Sequence, residues 1–480
     1  MVMRKLLNNA SRIHLIGIKG VGMTALAQIL SGYDKKITGS DTDERFFTDK
    51  VLKHLKIKVY RHFSRENIGD VDAVICSAAY ILEKEGQVFG FGSAKEEIEK
   101  AKAMNIPILL YSEAVAEIFN ATYGIAVAGS HGKSTTSAMA AVMLENAGLD
   151  PLAIVGTKVL NWEANARIAQ NKNFKSLFVL EADEYKDAFL RYDPKTIMLT
   201  NIDWDHPDYF KTPLAYRKSF QKFIAKLSKK DKFIFFVDDP EIKVISVSCH
   251  AGMKIGYGFS PASRLQIVSW ISHKNGSSFC LYFDGKNIGT FDIRLFGRHN
   301  VLNAAAVVSL GLSLGIPKDK IRRGLYAFKG TTRRFEILSA SNPVIIDDYA
   351  HHPSEIKATI GAARTAFPDR RIVVLFQPHT FSRTKALFKD FVAALKLADL
   401  PLILRTYASA REKESSGGIT SVALSRKLKT SHYNNIGQAQ KNLKKILHPD
   451  DILITMGAGN VWEVGQYLAK QQLHGKQASG

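Results

Sequence analysis

The sequence predicts an α/β protein built from three successive domains. Three observations carry this prediction. Short apolar runs rich in Val, Ile and Leu recur along the chain, and each ends in glycine or polar residues that lead into a helical pattern, as parallel strands alternating with helices do. The chain has 480 residues, more than one hydrophobic core accommodates. Two of the apolar runs pass into glycine-rich turns, after Ile16 and after Ala128, of the kind that lie against phosphate groups.

The first block opens with "RIHLIGIKGVGMTALAQIL". A strand leads to Gly17, Gly20 and Gly22 and then to helical spacing, which resembles a dinucleotide turn. The spacing is G-x-x-G-x-G rather than G-x-G-x-x-G, so a glycine turn needed only for tight packing stays open. "ITGSD" follows one βα unit later and places Asp41 where an acid meets a ribose. "VDAVICSAA" and "IPILLYS" read as further strands, and the block ends near Thr122.

The second block begins with the strand "YGIAVAG" and the loop "GSHGKSTT", residues 129–136, followed by a helical pattern that stops at Gly148. The free N–H groups at such a helix start favour an anion. Lys133 is placed to reach outer phosphates and Ser134 to ligate Mg²⁺. A tight strand–helix turn with a solvated lysine is the plain alternative. "SLFVLEADEY" and "TIMLTNIDWDH" are read as neighbouring strands ending in acids, which gathers Glu181, Asp183, Glu184, Asp203, Asp205 and His206 near the loop. Acidic helix caps would produce the same residues. Oxygen ligands suit Mg²⁺, and a histidine is better tolerated by Mn²⁺. "SSFCLYFDGKNIGTFDIRLFG" reads as a hairpin about Asp284-Gly285, and "GRHNVLNAAAVVSLGLSLGI" as a helix. The third block starts around "GTTRRFEIL" and repeats the strand–polar turn pattern in "PVIIDDYAHHPSEI", "RIVVLFQPHTFSRT", "LPLILRTY" and "DDILITMGAGN".

Composition narrows the class. At 46% hydrophobic and 23% charged residues the chain reads as soluble and globular. It has no apolar run of membrane-spanning length, and its first residues lack a signal peptide's apolar segment, so a cytoplasmic protein is expected. Cys76, Cys249 and Cys280 are scattered, which fits a reducing compartment and argues against a disulfide framework or a zinc site. The net charge of +21 is spread in short doublets without an arginine-rich tail. That favours anionic small molecules over nucleic acid, although a nucleic-acid-stimulated P-loop ATPase remains the rival from another class.

Taken together, "GIKGVGM", "GSHGKSTT", "EADEY", "TNIDWDH", "GRHNVLNA", "RRFE", "DDYAHHPSE", "FQPHTFSRT" and "GAGN" resemble the Mur ligases, in the family's order and over nearly the whole chain. The resemblance implies an N-terminal Rossmann-like UDP-binding domain (1–121), a central P-loop ATPase-like α/β domain (122–331) and a C-terminal Rossmann-like α/β domain (332–480). It implies an ATP-dependent ligase of peptidoglycan synthesis that adds L-alanine to UDP-N-acetylmuramate through an acyl phosphate. The member that recycles a whole tripeptide is the nearest rival, and folylpolyglutamate synthase a more distant one.

Carried onto matching positions, Gly17, Gly20, Gly22, Asp41 and Ser77 would hold the uridine diphosphate. The loop Gly129, Ser130, His131, Gly132, Lys133, Ser134 and Thr135, with Asn300, Arg334 and Asp348, would hold ATP. Ser134 and Glu181 would bind one Mg²⁺ and His206 a second, with Mn²⁺ a possible substitute. Lys133, His352, His379 and Arg383 would serve catalysis, the last three facing the alanine and the reacting carboxylate. A monomer or weak homodimer is expected. Two departures stand out: Thr380 replaces an arginine common in the family, and Gln221, flanked by Lys218 and Lys222, stands where several relatives carry a carbamylated lysine.

Overall fold

A computed structural model describes residues 6–477 except 45, 47, 85–86, 91, 171–175, 208 and 408–420. Three sheets divide the chain. The first is all parallel, in the order β3-β2-β1-β4-β7, from β1 (Arg12–Ile16), β2 (Lys36–Ser40), β3 (Lys58–Tyr60), β4 (Ala73–Cys76) and β7 (Ile108–Leu110). A separate hairpin, β5 (Ile81–Lys84) and β6 (Gln87–Gly90), precedes β7. Strands β1 and β4 are almost wholly buried, as expected of strands covered on both faces by helices.

The central sheet has ten strands: β8 (Tyr123–Ala128), β9 (Leu152–Val159), β10 (Ala164–Arg167), β11 (Leu177–Glu181), β12 (Thr196–Leu199), β13 (Lys232–Phe236), β14 (Met253–Gly258), β15 (Leu265–His273), β16 (Gly276–Phe283) and β17 (Lys286–Ile293). Their order is β10-β9-β11-β8-β12-β13-β14-β15-β16-β17. Here the sequence expectation needs correction, because β11 and β12 are not neighbours. They lie on either side of the P-loop strand β8, each parallel to it. Apart from Glu181 at the end of β11 and Thr196 at the start of β12, both strands are apolar, so their side-chain pattern carries no information on which partner they take. The expected hairpin is β16–β17, with Asp284 and Gly285 both at positive φ, the geometry a two-residue primed turn requires. It belongs to a larger antiparallel meander with β15, a strand the pattern reading did not single out.

The third sheet runs β18-β19-β23-β20-β21-β22, from β18 (Glu336–Ser339), β19 (Val344–Asp348), β20 (Ile372–Phe376), β21 (Leu400–Leu404), β22 (His432–Tyr433) and β23 (Ile452–Met456). All but β18 pair in parallel.

The joints between the sheets differ in kind. The helix Val21–Gly32 of the first unit contributes Leu26, Ala27 and Leu30 to one apolar cluster with Leu152, Ile154 and Ala166 of the central unit. Gln28 Nε2 donates to Asn165 Oδ1 at 2.8 Å within that contact. The third unit's two apolar clusters are made of its own residues, with Phe296 of the central unit packing on one of them against Phe335. The direct links between its side chains and those of the centre at the site are polar, and they lie at the P-loop.

Candidate active site

The loop after β8 takes the shape its sequence requires. Gly129 has φ 138°, and a Cβ there would lie 2.1 Å from Thr200 Oγ1. Gly132 has φ 79° and caps the helix Lys133–Asn146, and a Cβ there would lie 2.7 Å from Asn303 Oδ1. Both conformations suit glycine, so the short G-x-x-G spacing is a built turn. Ser130 and His131 are pinned between these glycines. The Asp203 N–H donates to Ser130 Oγ at 2.8 Å, and the His131 N–H donates to Asn201 Oδ1 at 2.9 Å.

Lys133 Nζ donates to Gly129 O at 2.6 Å, Ser130 O at 3.2 Å and Glu184 Oε2 at 2.8 Å. Ser134 Oγ donates to Glu181 Oε1 at 2.8 Å, and Glu181 Oε2 accepts the Gly156 N–H at 2.5 Å. Asp183, Glu184 and His206 turn ligand atoms toward one another within 4.8 Å. Burial and the neighbouring Glu184 raise the Asp183 carboxyl above its ordinary value, the signature of crowded negative charge. Oxygens dominate both groups, so the donor set suits a hard divalent cation. Lys218 and Lys222 are exposed on the helix Pro213–Ile224, as is Gln221, so none of the three is buried in this cluster.

A cavity of about 410 Å³ opens beside the loop. Gly132, Thr135, Asn300, Arg334 and Asp348 line it, and Phe236, Tyr257, Leu295 and Leu302 supply apolar wall. That mixture of flat apolar surface and a few convergent polar groups fits a purine nucleotide. His299 on the wall is held neutral by burial, its pKa pushed down to about 4. Asp348 is pushed up to about 6 by burial, and accepts from the Phe335 and Ala350 N–H groups and from Thr359 Oγ1.

The third unit reaches the loop directly. His131 Nε2 lies 3.1 Å from Asp203 Oδ2, and Nδ1 lies 3.3 Å from Glu355 Oε1. These two carboxylates outweigh burial and push the His131 pKa up to about 9. His352 Nδ1 sits 3.4 Å from Asp203, and Ser354 Oγ donates to the same carboxylate at 2.5 Å. Arg383 makes a forked pair with Asp205, Nε to Oδ1 at 3.0 Å and Nη2 to Oδ2 at 3.2 Å, and His379 Nδ1 stands 3.3 Å from Nη1. The sequence-expected residues of the second and third blocks therefore meet. Sequence reading gathered Glu184, Asp203 and Asp205 near the loop as oxygen donors without pairing them to a cation, and did not single out Glu355; their partners lie far away in the chain. Their position after apolar strands or in the first turn of a helix was the available signal.

In the first unit, Gly17, Asp41 and Ser77 follow the carboxyl ends of β1, β2 and β4. Gly17 has φ 80° and packs on Ser77 and Tyr80. Gly20 caps the following helix. Two expectations change in their reasons. Gly22 is glycine because a Cβ there would lie 2.7 Å from the Tyr111 ring. Asp41 is buried and already accepts from the Lys19 N–H at 2.7 Å, the Thr42 N–H and the Tyr80 hydroxyl, so it shapes the turn.

A P-loop beside an apolar-walled cavity, an oxygen-rich cluster and a further domain whose cations reach both define the class: a three-domain, nucleotide-dependent α/β enzyme. Known proteins agree. Residues 12–123, 127–311 and 333–459 match, in turn, the "Mur ligase family, catalytic domain", the "Mur ligase middle domain" and the "Mur ligase, glutamate ligase domain". A UDP-N-acetylmuramate–L-alanine ligase of Desulfitobacterium hafniense is 37% identical over 462 residues, 95% of this chain and 99% of that protein. The structure of UDP-N-acetylmuramate–alanine ligase from Thermotoga maritima shares the fold with TM-score 0.76 and 24% identity, covering 98% of this chain and 100% of that one. A murein peptide ligase from Psychrobacter arcticus gives TM-score 0.67 and 21% identity over 96% and 98% of the two chains. The chain belongs to the Mur ligase family, whose members are ATP-dependent ligases that form amide bonds.

Proposed function

We propose that this protein joins L-alanine to the muramyl carboxylate of UDP-N-acetylmuramate, giving the amide, ADP and phosphate for peptidoglycan synthesis in the cytoplasm. The observation that carries this reading is that Asn300, Arg334 and Asp348 line one cavity beside the P-loop, while His352 meets Asp203 and Arg383 meets Asp205 of the central unit. Full-length identity to alanine-adding relatives supports it.

The reaction follows from charge. A muramyl carboxylate oxygen attacks the γ-phosphorus of ATP, and ADP leaves. The acyl phosphate then offers a good leaving group. The alanine amine attacks the acyl carbon, the tetrahedral intermediate loses phosphate, and the nitrogen gives up a proton. The protein's task is positioning and charge stabilisation. On this reading Lys133 moves from Glu184 to the outer phosphates, while the loop amides from Gly129 to Thr135 surround them. Asn300 and Arg334 hold adenine and phosphate, and Asp348 closes the nucleotide site. Ser134 with Glu181, and His206 with Asp183 and Glu184, would hold Mg²⁺, or Mn²⁺ in its place, which would supply Lewis-acid neutralisation of phosphate charge. Arg383 and His379 take the alanine carboxylate, and His352 faces the reacting carbonyl. The uridine diphosphate lies over Gly17, Gly20 and Ser77. Boundaries at 121/122 and 331/332 divide these duties.

The murein peptide ligase likeness keeps one second reading, use of a tripeptide in place of alanine. Phosphate release with UDP-N-acetylmuramate and ATP, scanned over single amino acids and L-Ala-D-Glu-meso-diaminopimelate, separates the two. Alanine-dependent turnover is expected; preference for the tripeptide overturns the alanine assignment.

A further inference from the structure

Arg383 and Asp205 form a buried pair across the domain joint, with side chains 7% and 6% exposed. They are 178 residues apart in sequence. Asp205 belongs to the loop after β12, and Arg383 to the short helix Phe381–Ala386 of the third unit. The geometry is specific. Asp205 occupies the Nε/Nη2 edge of the guanidinium, at 3.0 Å and 3.2 Å, while Nη1 turns to His379. Asp205 is itself fixed, because Oδ1 accepts the His206 N–H at 2.7 Å and His206 sits at φ 55°. At the other end Thr380, at φ 65°, caps the helix by accepting the Arg383 N–H at 3.4 Å. This residue, which replaces the family's common arginine, thus holds the backbone of Arg383 while Asp205 holds its head.

We propose that Asp205 is a positioning residue for amino-acid recognition: it locks one edge of Arg383 so that the Nη1 edge, beside His379, is presented to the carboxylate of the incoming amino acid. A guanidinium has two edges and can serve two carboxylates at once. A long arginine left free would have to be ordered at each binding event; one held by a buried carboxylate is ordered beforehand. Because Asp205 comes from the central unit, the presented edge exists only while the third unit is docked. Amino-acid binding is thereby tied to domain closure. The inference rests on the assignment of Arg383 to the amino-acid carboxylate.

The test compares full-length wild type with Asp205→Asn, Asp205→Glu, Arg383→Met and the double variant Asp205→Asn/Arg383→Met. Asparagine keeps an acceptor for the His206 N–H and removes the charge. Steady-state rates are measured with L-alanine and with L-alaninamide, which lacks the carboxylate. Asp205→Asn is expected to raise the alanine KM at least tenfold, to leave the KM for ATP and for sugar nucleotide within twofold, and to shrink the preference for alanine over alaninamide. Asp205→Glu should recover part of that preference. The double variant should be no worse than Arg383→Met. Losses that multiply in the double variant, or an unchanged preference in both Asp205 variants, overturn the proposal while leaving Arg383 in its role. An unchanged preference in Arg383→Met overturns the Arg383 assignment itself, and the proposal with it. If Asp205→Asn does not fold, the ratio measured in Asp205→Glu decides, since lengthening the acid must also misplace the presented edge.

Discussion

Lys133 shares its ammonium among two loop carbonyls and Glu184, a set of partners that mimics what outer phosphates would offer. Removing it should leave the fold standing, because Glu184 keeps the Tyr216 hydroxyl as donor at 3.0 Å. Lys133→Ala is expected to fold, with a lowered unfolding temperature because buried Glu184 loses its cation, and to lose at least about 100-fold in kcat, the scale of one lost charge contact at a transferring phosphoryl group; near-normal phosphate release would reject the P-loop role. Glu181→Gln and His206→Ala should each raise the Mg²⁺ midpoint more than the sugar-nucleotide KM, since one partners Ser134 and the other stands with Asp183 and Glu184. Unchanged midpoints in both would reduce these residues to structural partners. His131 provides a pH test. Its folded pKa, raised to about 9 by Asp203 and Glu355, lies above the ordinary histidine value of about 6.5. The stability it contributes is then fully present below about pH 6.5 and is lost as pH rises through about 9. Thermal unfolding of wild type from pH 6 to 10 should show that decline, and His131→Gln should flatten it.

At the scale of single elements, the P-loop shows how much a local pattern can specify. The strand, the glycine turn and the helix that follows were all readable, because apolar periodicity and glycine placement are local properties. Gly129→Ala would place a methyl against Thr200 and impose φ 138° on a side-chain-bearing residue. A loss on the order of 2–4 kcal/mol is expected, with ATP turnover abolished; a denaturant midpoint equal to wild type would contradict the strained turn. The order of strands was not readable in the same way. β11 and β12 each lead into acids, but their apolar interiors admit either neighbour, and only the assembled sheet puts β8 between them. Gly22 teaches a related lesson. Its glycine was legible, whereas its reason, the Tyr111 ring, lies in an element encoded some ninety residues later.

Across the whole molecule, the two joints predict different mobility. An apolar cluster shared by the first and central units resists separation, whereas the site-proximal contact of the third unit rests on Asp203, Asp205, His131 and Glu355. Polar interfaces between domains commonly open and close, and closure keeps water from a reactive acyl phosphate. Small-angle scattering is expected to show a smaller radius of gyration with an ATP analogue plus sugar nucleotide than without; equal radii would mean that docking is complete before substrates bind. Selectivity should carry the mark of a small substrate. A methyl group discriminates by roughly 1–3 kcal/mol, so glycine and serine should be slow but measurable substrates under saturating ATP and sugar nucleotide. Total refusal of both would point to a recognition device beyond one carboxylate clamp and an apolar wall.

By itself, the sequence determined the α/β class, the glycine turns, the P-loop and the family, because each is written in neighbouring residues or in the order of short motifs. Only the tertiary structure decided which acid meets which cation. Asp203 with His352, Asp205 with Arg383, Glu184 with Lys133 and Glu355 with His131 are pairs separated by 51 to 224 residues. A carboxylate after an apolar strand can cap a helix, ligate a metal or lock an arginine, and its own neighbours in the chain are the same in all three cases. The choice is made by the partner that folding brings within about 3 Å, where a desolvated charge must find an opposite one or remain a large cost.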